Sequence, residues 1–209
     1  MLKLYYCRLP DSAPDVPVEL LSAYRREKLE KQTNERVRLR SLISELLLRH
    51  ALRDGGFAVE GPLNIAVSER GKPFLRDGGC FFSLSHSADA VLCALGERNV
   101  GADIQIASKA NEALIGRFFS EEERAFVRGA EDPDRAFTEI WTEKESFCKM
   151  DGRGLALPLG SFSVFDPHIA ALLWHTTAGE YHLARCSDTV KSEQPEPIEI
   201  ETGVLFPKG

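Results

Sequence analysis

Two hydrophobic periods alternate along this chain. Leu39, Leu42, Ile43, Leu46, Leu47 and His50 recur at helical spacing, with Arg36, Arg38, Arg40 and Glu45 around the polar side, and the run stops at Gly55-Gly56. That pattern predicts an amphipathic helix. Before it, KLYYCRL fits a strand, Pro10, Pro14 and Pro17 enforce a loop, and a helix is predicted over 18–31. After it come four strand-like pieces, 63–68, 80–87, 90–96 and 99–107, separated by Gly, Asp and Asn. Helical signals return at Ser120, where Ser-Glu-Glu-Glu supplies a capping box for 121–129. Asp132-Pro133 opens a further helix through Phe137, Ile140, Trp141, Lys144, Phe147 and Cys148 to about Met150, ended by Asp151-Gly152. Segments 161–166, 170–176 and 180–186 read as strands of an antiparallel meander, and from Asp188 onward a Pro- and Glu-rich stretch is expected to cover the surface loosely. Strand, helices, strands, then the same again: the fold class is α+β, with one half expected over 1–100 and a second over 101–209.

Composition narrows the class. Hydrophobic residues make up 43% and charged residues 28% of the 209, so the chain can bury a core and is not disordered. No run reaches the length of a membrane span, and MLKLYYCRLP lacks the apolar region of a secretory signal, so a cytoplasmic protein with no membrane partner is expected. The five cysteines are scattered with no CxxC pair, and read as reduced core residues. A formal charge of −6 argues against general nucleic-acid binding. Between Arg25 and Arg53, however, nine Lys and Arg face four Glu. A solvated helix face explains such a run; so does a small polyanionic ligand.

Candidate chemistry sits in the second half. Asp103 and Gln105, at i and i+2 of a strand, emerge on one face. Trp141, Glu145 and Lys149 form one helical stripe at i, i+4 and i+8. Taken alone, the Asp is a strand-end cap and Glu145/Lys149 an ion pair worth a few tenths of a kcal/mol. The ordered set of short segments changes that. Arg40, Gly71-Lys72-Pro73-Phe74, Phe82-Ser83-Leu84-Ser85-His86-Ser87, Val100-Gly101-Ala102-Asp103-Ile104-Gln105, Phe118-Phe119-Ser120-Glu121-Glu122-Glu123, and Trp141-Thr142-Glu143-Lys144-Glu145-Ser146-Phe147-Cys148-Lys149 followed by Gly152-Arg153-Gly154-Leu155 resemble, in this order, the 4'-phosphopantetheinyl transferases of the long, surfactin-synthetase-activating (Sfp) type.

The resemblance implies two similar α+β halves related by a pseudo-twofold, with coenzyme A in the cleft between them, and a monomer. It implies Mg²⁺-dependent transfer of the 4'-phosphopantetheine arm to a serine of an apo carrier protein, releasing adenosine 3',5'-bisphosphate. The family's metal carboxylates match Asp103 and Glu145, while its usual aspartate-x-glutamate pair is Asp103-x-Gln105 here, leaving Gln105 a weak ligand, at most through a water. Glu145 and Lys149 are the implied catalytic pair. Coenzyme A would be held by Arg25, Lys28, Arg40, Ser85, His86, Asp103 and Lys149, and its adenylate cupped by the Gly71-Lys72-Pro73 turn. Some alternatives stay open: Lys144 serves phosphates or a salt bridge, Trp141 serves packing or contact with substrate, and His86 is a ligand or a core histidine. The replacement at Gln105 also admits a coenzyme A-binding protein without turnover.

Overall fold

The computed structural model describes residues 2–188 and 196–206. It is a mixed α+β chain of two units, Met1–Glu97 with Pro195–Gly209, and Arg98–Gln194. The C-terminal segment was expected with the second half and belongs to the first.

In the first unit, β1 (Leu2–Arg8) is followed by α1 (Ala23–Lys31), α2 (Glu35–Asp54), β2 (Ile65–Val67), β3 (Pro73–Leu75), β4 (Phe81–Ser87) and β5 (Ala90–Gly96). The helix predicted over 18–31 is interrupted, because Ser22 caps α1 by accepting from the Arg25 amide. β4, β5 and β1 pair antiparallel, and β9 (Ile198–Glu199) adds to β1 in parallel, giving the order β4-β5-β1-β9. The run AVLCALG of β5 is apolar throughout and buried at every position, as a strand enclosed on both faces must be. Leu39, Ile43, Leu46 and Leu47 of α2 pack on Tyr5, Cys7, Val91, Cys93 and Phe82, which the register places on one face of the sheet. The loose cover expected from Asp188 onward falls in part outside the described residues. Beyond them, Leu205 is buried in the core of this unit and Ile200 and Phe206 pack against it.

In the second unit, β6 (Val100–Ile106) leads to α3 (Glu112–Phe118), α4 (Glu121–Gly129), α5 (Pro133–Asp151) and the short α6 (Pro167–Ala170), then to β7 (Leu173–Ala178) and β8 (Tyr181–Ser187). The sheet order is β6-β8-β7, all antiparallel. The caps lie where the sequence put them: Ser120 and Glu123 form a capping box, Asp132 accepts from the Arg135 amide, and Gly152 closes α5 at φ 78°. Residues 161–166, expected as a strand, contain none, and α3 was not anticipated. The reason is Glu123. Its Oε1 accepts from the Val164 amide (2.8 Å) and from Lys144 Nζ (2.8 Å), while its Oε2 accepts from the Ser120 amide (2.7 Å) and Lys144 Nζ (2.8 Å). Lys144 also donates to the Phe162 carbonyl at 2.7 Å, and both side chains are fully buried. Backbone groups of 162–164 thus find partners in a buried ion pair rather than in a sheet ladder.

Leu173, Cys186, Ile140 and Met150 build the core between sheet and α5, with Ile115, Phe119 and Val127 from the smaller helices. All five cysteines are free and buried. His175 Nε2 and His182 Nδ1 lie 3.1 Å apart on neighbouring strands, with Glu139 of α5 at 3.9 Å from His175 Nδ1. Burial, then His182 and Arg135, push His175 down to about 4.

Two outcomes follow from this packing. Lys144→Met strands the Glu123 carboxylate in the core and is expected to lower stability by roughly 3–5 kcal/mol in urea denaturation. His175 is held neutral in the folded protein but binds a proton near pH 6.5 when unfolded. Stability is therefore full above about pH 6.5 and falls as the pH drops towards 4, where folding must forgo that proton. Melting curves across this window should flatten in a His175→Gln variant.

Candidate functional site

α5 lies directly on β6. A Cβ at Gly101 would collide with the Ser146 carbonyl oxygen and the Met150 amide nitrogen, so the helix backbone occupies the space of a side chain. Asn99, just before the strand, donates from Nδ2 to the Met150 carbonyl at 2.6 Å and pins the helix end to it. Asp103 shares the Gly101 face two residues on and so points at α5. Its side chain is 2% exposed, and Lys149 Nζ donates to Oδ1 at 2.6 Å. Gln105 Nε2 donates to Oδ2 at 2.8 Å. Glu145, one turn before Lys149, is half-buried. Burial and the Asp103 charge push its carboxyl above the ordinary range, and Lys149 pulls it back. The structure therefore gathers Asp103, Gln105, Glu145 and Lys149 in one place. Trp141, on the same stripe, packs against Phe118 and Phe137, with ring centroids 5.9 and 6.2 Å away.

The donor set suits a hard cation. Glu145 on α5 is near enough to Asp103 on β6 for the Asp103 charge to add to burial in raising its carboxyl. Among the described residues no group of three or more His, Cys, Asp and Glu is assembled for a metal. Mg²⁺ takes one or two carboxylates and fills its octahedron with phosphate oxygens and water. Asp103 and Glu145 would hold it.

The residues expected at coenzyme A in the first unit fall into different settings. The Gly71-Lys72-Pro73 turn is built by Gly71 at φ +88°, with the Ser68 amide donating to the Lys72 carbonyl at 2.9 Å and the Lys72 amide to Ser68 Oγ at 3.1 Å. Lys72 and Pro73, with Phe74, Leu75 and Gly78–Phe82, line a cavity of about 320 Å³. Arg40 is half-buried, and its Nε is buried without a hydrogen-bond partner. Lys28 is exposed, with Nζ 4.6 Å from the Tyr24 ring centre.

Two expectations need correction. Arg25 is 4% exposed, its Nε 3.4 Å from Glu45 Oε2 and its Nη1 donating to Ser41 Oγ at 2.7 Å. Glu45, fully buried and also bonded to the Ser22 amide and hydroxyl (2.6 Å each), needs that counter-charge, so Arg25 fastens α1 to α2. Ser85 and His86, expected with Arg40, Arg25 and Lys28 at the 3'-phosphate and diphosphate, are neighbours on β4 and project from opposite faces. Ser85 is buried; His86 is exposed on the face that carries α2.

Sequence reasoning left three partners unread. Of the two roles open to Lys144, phosphate or salt bridge, the structure shows the salt bridge, with Glu123 as a partner 21 positions away. The pairing of His175 with His182 depends on the β7–β8 register, for which the Ala-Gly-Glu turn at 178–180 was the available signal. The Gln105 amide bond to Asp103 was implicit in the i, i+2 spacing.

Comparison with known proteins gives the site its context. Residues 99–195 match the 4'-phosphopantetheinyl transferase superfamily. A 4'-phosphopantetheinyl transferase of Bacillus subtilis is 33% identical over 171 residues, covering 78% of this chain and 76% of that one. The 4'-phosphopantetheinyl transferase Sfp of B. subtilis strain 168 is 30% identical over 150 residues, 70% and 67% of the two chains. The 4'-phosphopantetheinyl transferase gsp of Aneurinibacillus migulanus is 29% identical over 212 residues, 99% and 82%. The chain belongs to the 4'-phosphopantetheinyl transferases, as an enzyme of the long, Sfp type.

Because α5 has no room to spare at Gly101, Gly101→Ala is expected to push helix and strand apart. A loss of about 3 kcal/mol or more in urea denaturation should accompany a fall in activity, since Asp103 and Lys149 separate with them.

Proposed function

We propose that the protein transfers the 4'-phosphopantetheine group from coenzyme A to a serine hydroxyl of an apo carrier protein, in a Mg²⁺-dependent reaction that releases adenosine 3',5'-bisphosphate. The observation that carries this reading is the Asp103–Lys149–Glu145 arrangement, set at one β6–α5 contact inside the stretch that matches the superfamily. When bound, Mg²⁺ neutralises charge on the diphosphate oxygens. Glu145, or a water it orients, takes the serine proton. The serine oxygen forms a bond to the phosphorus that carries pantetheine, and the bond from that phosphorus to the adenylate-side oxygen breaks. Lys149, whose ammonium donates to Asp103, stabilises charge on the departing phosphate.

The first unit contributes cations for the distal part of coenzyme A. Arg40, with its unpartnered buried Nε, together with Lys28 and the exposed His86, meets the 3'-phosphate and diphosphate. Ser85 sits on the other sheet face. The Lys72-Pro73 turn and the cavity beside it take the adenylate. With Arg25 withdrawn into the helix packing, the basic excess of this segment serves structure and ligand in turn. Among the described residues no helix is long and apolar enough to cross a membrane.

Incubation of an apo carrier protein with coenzyme A, Mg²⁺ and this protein should add the mass of one phosphopantetheine to the carrier. Asp103→Ala and Glu145→Ala are each expected to slow that gain by at least about a hundredfold with the circular dichroism spectrum unchanged. Activity within a few fold of wild type in either variant overturns the assigned site. Arg40→Ala and His86→Ala should raise KM for coenzyme A more than they lower kcat, and should narrow discrimination against its 3'-dephospho form.

A further inference from the structure

We propose that Gln105 is a positioning residue that fixes the Asp103 carboxylate for the cation and does not itself ligate the cation. The proposal rests on the reading of Asp103 and Glu145 as the cation's two carboxylates. Asp103 is buried on β6 and accepts from Lys149 at Oδ1 (2.6 Å) and from Gln105 Nε2 at Oδ2 (2.8 Å). An ionised carboxylate is an acceptor only, so an amide lying against it must present its NH₂ group. The orientation of Gln105 is therefore fixed by chemistry. An amide nitrogen has no lone pair to offer Mg²⁺, and the oxygen of the same amide is turned away from Oδ2. Gln105 and Lys149 thus grip Asp103 from the strand and from the helix, and the plane of the carboxylate is set before any cation arrives.

The residue type then makes physical sense. A glutamate at 105 would add a third carboxylate beside Asp103 and Glu145, with the Lys149 ammonium as the counter-charge at hand. Like charges at such short range in a partly buried site repel strongly until a divalent cation binds. Glutamine replaces that repulsion with a hydrogen bond. The site is thereby assembled in the metal-free protein, and folding of the β6–α5 contact does not depend on the cation.

Two variants test this. Melting is measured without coenzyme A, in EDTA and in millimolar Mg²⁺. Gln105→Glu should melt roughly 3–6 °C below wild type in EDTA and regain most of that with Mg²⁺, a larger magnesium response than wild type shows. Equal responses in the two proteins overturn the proposal. In carrier-modification assays the near-isosteric Gln105→Met, which fills the space without donating, should lower kcat about tenfold while KM for coenzyme A moves less than about twofold. An unchanged kcat, or a KM that rises as far as kcat falls, overturns it. So does a Gln105→Met protein that has lost its magnesium-dependent melting shift as completely as Asp103→Ala, for Gln105 would then be a direct ligand. Should the wild-type protein modify no carrier, the functional reading fails, while the melting comparison still decides the role of Gln105.

Discussion

The architecture of the second unit depends on one close contact, the seating of the α5 backbone against β6 at Gly101. A helix normally stands off a sheet by the thickness of two layers of side chains. Here one layer is missing, so residues a single step further along the strand and helix are brought within reach of short side chains. Asp103 can meet Lys149 at 2.6 Å because the two backbones already nearly touch. The same proximity excludes water, and that exclusion is what raises Glu145 and makes the facing carboxylates sensitive to each other.

Holding a helix that tightly requires anchors at both ends and on its outer side. Asp132 and Pro133 begin α5, Gly152 ends it, and Asn99 ties its last turn to the strand it lies on. On the outer side, Lys144 and Glu123 lock α4 and the 162–164 segment to the middle of the helix. Lys144 and Glu145 are adjacent yet opposite in purpose. The lysine donates to Glu123 and to the Phe162 carbonyl inside the protein, whereas the glutamate is only half-buried.

Much of this was legible in the sequence wherever the governing interaction is local. Helix caps at Ser120 and Asp132, the amphipathic pattern of α2 and the continuous apolar run of β5 each follow from neighbours a few positions apart. The acid-lysine stripe on α5 and the Asp103/Gln105 face were readable for the same reason. What was not legible turned on distant partners. Arg25 looked like one more cation in a basic run until Glu45 claimed it. Residues 161–166 carry strand-forming side chains, but their backbone is satisfied by Glu123 and Lys144. Ser85 and His86 were grouped because a family pattern is a string, and a string does not show that consecutive strand residues face apart.

β9 pairs with β1, so among the described residues the last strand completes a sheet begun by the first. During synthesis β1 emerges from the ribosome early, is joined by β5, and then presents an open edge for roughly a hundred further residues. Throughout that time the place to be filled by Leu205 in the same core is vacant. The second unit, whose strands are contiguous in sequence, can close before this happens. The order of completion is thus the reverse of the order of translation. Loss of β9 and Leu205 would be felt first in the unit that carries β1, not in the unit next to them in sequence.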